Sequence, residues 1–177
     1  MKKIISLVLA LILSLSVASA LAATKSPDTN DSYDTESLVG RLILIPDSKL
    51  AAELLEILKG SASIDDFFGE VITVDGSKAL LSDLLGTDKL TVNEFVGVTY
   101  EGPTDKKIKV AITVPSVYKE GERVIVVIGI VEGEEVTWYG FEGTVNKKSQ
   151  VIVELTPELF KAMKDKDCII AIVSIAE

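Results

Sequence analysis

The sequence predicts an α+β protein: a short helical N-terminal part packed on a mainly antiparallel β-sandwich, led by an export signal. Three observations predict it. Residues 4–17 form an apolar leader behind two lysines, leucines recur at spacings of three and four between Leu50 and Leu85, and from Leu90 β-branched and aromatic residues take over between closely spaced turns.

The leader comes first in the chain. Lys2 and Lys3 supply the positive start, and Ile4 to Val17 is interrupted only by the small hydroxyls Ser6, Ser14 and Ser16. Residues 18–23 are small apart from Leu21, offering peptidase sites after Ala20 or Ala22, of which the second is favoured. The rival is an uncleaved anchor, but spanning hydrocarbon takes roughly 20 apolar residues, and a small-residue cleavage site is not an anchor's usual exit. The expected organisation is a signal peptide over 1–22, a flexible polar linker over 23–36, a helical subdomain over 37–90 and a β-sandwich domain over 91–177. A secreted chain with no stable membrane anchor after cleavage follows.

Charge and cysteine usage narrow the partners. Without residues 1–22, which hold two of the 18 basic side chains, 16 basic residues stand against 27 acidic ones, a net charge of −11. That balance disfavours nucleic acid and anionic lipid. The single cysteine, Cys168, excludes an intramolecular disulfide, so an exported fold must hold by packing alone. Cys168 opens the apolar run Cys168–Val173 behind Asp165 and Asp167, a setting for a buried hydrophobe and not for a nucleophile.

In chain order, Ala23 to Glu36 is polar and turn-rich, which suits a tether. Leu42 to Ile45 reads as a strand ended by Pro46. Asp47 or Ser48 caps a helix whose Leu50, Leu54, Leu55 and Leu58 share a face and which Gly60 stops. Ser63 and Asp66 resemble a capping box that places Phe67 and Phe68 for burial. Val71 to Val74 reads as a strand, Asp75-Gly76 as a turn, and Ser77 to Leu85 as a helix ended by Gly86. Strands follow at about Val92–Tyr100, Ile108–Val114, Arg123–Ile130, Glu135–Val145, Gln150–Leu155 and Cys168–Ile175, with Thr156-Pro157-Glu158 opening a helix to about Lys164. The continuous apolar runs Val124–Ile130 and Ile169–Val173 predict central strands buried on both faces.

The absence of histidine is the most informative chemical fact. It removes the usual serine and cysteine triads, imidazole proton shuttles and nearly all zinc catalysis. Ser116-Val117-Tyr118-Lys119 fits the S-x-x-K spacing, but Pro115 and Gly121 bracket it in a turn, where serine and lysine do not share a helix face. Carboxylates cluster at Asp65-Asp66 with Glu70, Glu120 with Glu122, and Glu132 with Glu134-Glu135; glycoside hydrolysis needs two of them across a cleft, whereas adjacency in a turn reads as solvated surface charge. The stretch Asp28–Glu36 alternates acids like a calcium loop yet carries Tyr33 where an EF-hand needs glycine. The reading is therefore of no catalytic residues, no metal and no cofactor.

Trp138, Tyr139 and Phe141 are the candidate ligand-binding residues. In a strand Trp138 faces one way and Tyr139 with Phe141 the other, so one set is core while the other, with Tyr100 or Tyr118 nearby, forms a stacking platform for a sugar ring or an anchor for a protein. The alternative is that both sets are core.

The stretch Thr113 to Glu177, with V-P-S-V-Y-K-E-G-E-R-V-I-V-V-I-G-I, T-W-Y-G-F-E-G-T-V-N, V-I-V-E-L-T-P-E-L and a closing I-I-A-I-V-S, resembles the C-terminal module of small exported proteins of Gram-positive gut bacteria. The resemblance implies an immunoglobulin-like form of the sandwich and carries no site residues. The paired cysteines and corner tyrosine of antibody domains are missing. The expected function is a non-enzymatic exported module that binds an extracellular protein or glycan through sheet-face aromatics or loops at one end of the sandwich. The alternatives are a carboxylate-based hydrolase, or a protease inhibitor with a protruding loop at Gly102-Pro103 or Gly133.

Overall fold

Strong local signals set most of the elements. The computed structural model describes residues 33–116 and 118–176; the leader and residues 23–32 of the linker lie outside the described residues, as does most of the calcium-like stretch. In chain order the elements are β1 (Asp34–Ser37), β2 (Arg41–Ile45), α1 (Lys49–Gly60), α2 (Ile64–Phe68), β3 (Val71–Ile72), β4 (Lys78–Ala79), α3 (Leu81–Leu85), β5 (Leu90–Glu101), β6 (Ile108–Thr113), β7 (Arg123–Glu132), β8 (Glu135–Val145), β9 (Val151–Leu155), α4 (Pro157–Met163) and β10 (Asp167–Ile175).

Three helix starts carry the expected caps. The Ser48 hydroxyl accepts the Ala51 amide, Ser63 accepts that of Asp66, and Thr156 accepts that of Leu159, each satisfying an otherwise orphaned first-turn donor. Two expectations change. The helix expected from Ser77 shrinks to Leu81–Leu85, because the Asp75-Gly76 turn, with Gly76 at φ +82, folds Lys78–Ala79 back antiparallel on Val71–Ile72. The last residues of the expected tether, from Asp34, form β1 instead; the edge of β6 supplies backbone partners that need no apolar side chains.

Eight strands make one antiparallel ladder in the order β1-β6-β9-β8-β7-β10-β5-β2. Its two ends, β1 and β2, are consecutive in the chain and lie side by side, so the sheet is nearly closed. The Thr35 hydroxyl donates to the Leu42 carbonyl across the seam, and the Ser37 hydroxyl donates to the Gly40 carbonyl. The immunoglobulin-like sandwich is not confirmed, since the ladder runs unbroken from end to end without dividing into two stacked sheets. β3 leaves the path to pair with β8 in parallel at Ile72 and Tyr139.

Two cores follow from the alternation of side chains. Inside the sheet, Val96, Val110, Val126, Ile128, Phe141 and Ile170 fill the interior, and α4 closes one end with Leu159, Phe160 and Met163. An eight-stranded sheet curled on itself leaves room for little more than its own side chains. Outside it, α1, α2 and α3 lay Leu58, Phe68, Leu81 and Leu85 over Ile125, Val127, Ala171 and Val173. β7 and β10 are therefore buried on both faces, as their continuous apolar runs predicted. Among the described residues no helix is long and apolar enough to cross a membrane.

Candidate functional site

Two polar centres lie on β5, one toward each end of the curled sheet. Glu94 shares its inward face with Val96 and Val98 and is only 7% exposed, a position where an unpaired charge costs several kcal/mol, of order 3–5. A bulge aims it. The β5–β10 register slips between Ile172 and Val173, leaving Asn93 without a ladder partner, and the Asn93 amide donates to the buried Ser174 hydroxyl at 2.7 Å.

Donors converge on the Glu94 carboxylate from two distant segments. The Tyr33 phenol, just before β1, donates to Oε2 at 3.0 Å, and the Ser116 backbone amide donates to Oε1 at 3.1 Å. The Ser116 hydroxyl donates to the same Oε1, with a longer bond to the Asn93 carbonyl. Burial, then the Glu94 charge and hydrogen bond, push the Tyr33 phenol well above its ordinary range. Tyr118, 5% exposed, is pushed up by burial, then by the charges of Glu94 and Glu122. The arrangement is a carboxylate supplied with donors, suited to holding two loops in place.

This cluster resolves the S-x-x-K spacing. Ser116 turns inward to Glu94, while Lys119 sits on the turn beyond, exposed, with its backbone amide on Glu122. Of the acids singled out from the sequence, Asp66, Glu70, Glu120, Glu132, Glu134 and Glu135 are exposed, Glu122 is half-buried and accepts the Lys119 amide, and Asp65 is occupied by the Ser82 amide at the start of α3. Among the described residues no three His, Cys, Asp or Glu side chains are grouped to hold a metal ion.

The second centre is a cleft of about 560 Å³ at the end closed by α4. Tyr100 stacks on Phe160 with ring centroids 4.0 Å apart, and its hydroxyl donates to the Pro103 carbonyl at 2.7 Å. Thr99, Thr104, Met163 and Lys164 line the walls, with Asp165 to Asp167 on the rim. Lys166 is tied back to Glu132 at 2.7 Å, which raises its pKa. The volume falls within the range of small-molecule sites, roughly 300–1,000 Å³.

The aromatic candidates do not form a platform. Phe141 is 1% exposed inside the sheet, and Trp138 is 7% exposed on the opposite face beneath the helices; only Tyr139 is half-buried. Trp138 packs against Phe68, Phe67 and Phe95 at centroid distances of 4.8, 5.7 and 6.4 Å. Strand alternation sent the two rings to different cores, so Trp138 and Phe141 are core residues and the exposed pair expected of Tyr139 and Phe141 does not form; Tyr139 is half-buried against the inner core. Tyr100 does stack, but on Phe160, and Tyr118 is buried. Glu94 was not singled out from the sequence, although it had a signal: one acid in phase with the inward-facing Val96 and Val98.

Comparison with known proteins finds no matching family model, no matching curated protein and no matching solved structure.

Proposed function

We propose that the chain is an exported, non-enzymatic binding module that takes an extracellular protein or glycan in the cleft between the β5–β6 loop and the turn after α4. The observation that carries this reading is the cleft itself. It sets Tyr100, stacked on the buried Phe160, beside Thr99, Thr104 and Lys164 outside an interior already filled by side chains. A part-exposed Tyr100 ring, backed by the buried Phe160, beside a few polar groups suits the edge of a sugar or the side chain of a protein loop. The leader and the resemblance of residues 113–177 to exported bacterial modules support export. Of the binding modes expected from the sequence, loops at one end of the sheet replace the sheet-face aromatics.

The test is a glycan array and a surface-extract capture with the processed chain, residues 23–177, beside Thr104→Arg, which fills the cleft. Saturable binding lost in Thr104→Arg supports the reading. Binding equal in the two proteins, or hydrolysis of a polymer by the unaltered chain with loss in a carboxylate variant, overturns it.

A further inference from the structure

We infer that β1 is an exchangeable strand, and that two copies of this chain pair by each laying Asp34–Ser37 on β6 of the other. Three observations place the exchange there. β1 has a four-residue ladder on one edge only, from Asp34 opposite Thr113 to Ser37 opposite Val110, and none of its side chains is fully buried. On its other edge the seam to β2 is held by the Thr35 hydroxyl, with no backbone ladder among the described residues. Few buried apolar contacts and a short ladder mark the segment that opens first in a native structure.

What β1 leaves behind requires a replacement. β6 points Ile108, Val110 and Ile112 into the main core, so removing β1 uncovers a strand edge that belongs to the core. An open edge of that kind recruits another strand, and an identical β1 fits it in register.

The connection supplies the hinge and the new contact. Leu38 is fully exposed and Val39 half-exposed in the link from β1 to β2, two large apolar side chains that the single chain leaves in water. Gly40 holds that link tight at φ +78, with a Cβ there 2.4 Å from the Tyr100 hydroxyl oxygen. Straightening the link carries β1 to a neighbouring molecule and lets the two links run past each other, covering Leu38 and Val39 of both. The Tyr33–Glu94 and Thr35–Leu42 bonds then form between copies instead of within one. Because the exchanged contacts are the same, short strained hinges and raised concentration decide the balance.

Two differently tagged chains test this, one Asp34→Cys and one Thr113→Cys, each also Cys168→Ala, mixed over a concentration series and oxidised. The expected product is a mixed disulfide joining the two tags, its share rising with concentration, alongside a dimer of the unaltered chain by light scattering. Gly40→Ala, which places a Cβ against the Tyr100 hydroxyl at a positive φ and so favours the open hinge, raises the dimer share at a fixed concentration. A chain that stays monomeric throughout, or a dimer that forms without any link between positions 34 and 113, overturns the inference. If Gly40→Ala does not fold, the tagged mixture still decides.

Discussion

The Tyr33 phenol and the Glu94 carboxylate, 61 residues apart in sequence, meet at 3.0 Å where the nearly closed sheet begins. This bond fastens the chain just before β1 to the inner face of β5, and the Ser116 amide and hydroxyl fasten the β6–β7 loop to the same carboxylate. Glu94→Ala strips the acceptor from all three donors and is expected to cost about 2–4 kcal/mol of folding stability. Tyr33→Phe removes one bond and is expected to cost about 1 kcal/mol. Urea unfolding of the single and double variants measures both, and stabilities within experimental error of the unaltered chain would show the cluster holds nothing.

Phe141 and Trp138 are predicted to act on stability and not on binding. Phe141→Ala empties a fully buried volume inside the sheet and should cost about 3–5 kcal/mol. Gly129 lies opposite Trp138 in the β7–β8 ladder, and a Cβ there would stand 2.4 Å from the indole ring, so Gly129→Ala should cost about 1–3 kcal/mol by pushing the ring off Phe68. Thermal melts check both; a Phe141→Ala chain that melts normally while losing a ligand would return Phe141 to a binding role.

Asp75 should titrate far below an ordinary aspartate. Hydrogen bonds from the Thr73 hydroxyl and from the Ser77 hydroxyl and amide lower its pKa to about 2. A depressed native pKa adds stability above the ordinary value of 3.8, and that contribution disappears as pH falls through about 2. Carboxyl NMR shifts of the folded chain report the midpoint directly. In Ser77→Ala the midpoint should move up toward 3.8; an unchanged midpoint in that variant would remove the hydrogen-bond cause.

Cys168 should behave as an inert thiol. Burial, then the Asp167 charge, push it up to about 11. A raised native pKa keeps the proton on in the fold, so its stability contribution is whole below the ordinary value of 9.0 and is lost as pH rises through about 11. Iodoacetamide at neutral pH should leave the native chain unlabelled and label it in denaturant. Rapid labelling of the native chain would contradict its buried place at the start of β10.

Legibility followed the range of the forces involved. The Ser63 and Thr156 caps were readable, and the first helix start was narrowed to Asp47 or Ser48, of which Ser48 caps, because a cap and its amide lie three residues apart. β7 and β10 were readable because burial on both faces demands unbroken apolar runs. β1 was not, since Asp-Thr-Glu-Ser carries no apolar pattern and only the edge of β6 makes it a strand. The cleft was not readable either: its walls come from residues 99–104 and 160–167, which only the folded sheet brings together.

The amino-acid order by itself determined the helix starts, the central strands, the acidic surface and the loss of imidazole chemistry, because each depends on neighbours within a few positions or on composition alone. Tertiary structure decided that the strands close on themselves, that Trp138 and Phe141 serve two separate cores, and that Glu94 gathers Tyr33 and Ser116. Those outcomes depend on register and curvature, which are set by packing between segments tens of residues apart and leave no local pattern to read.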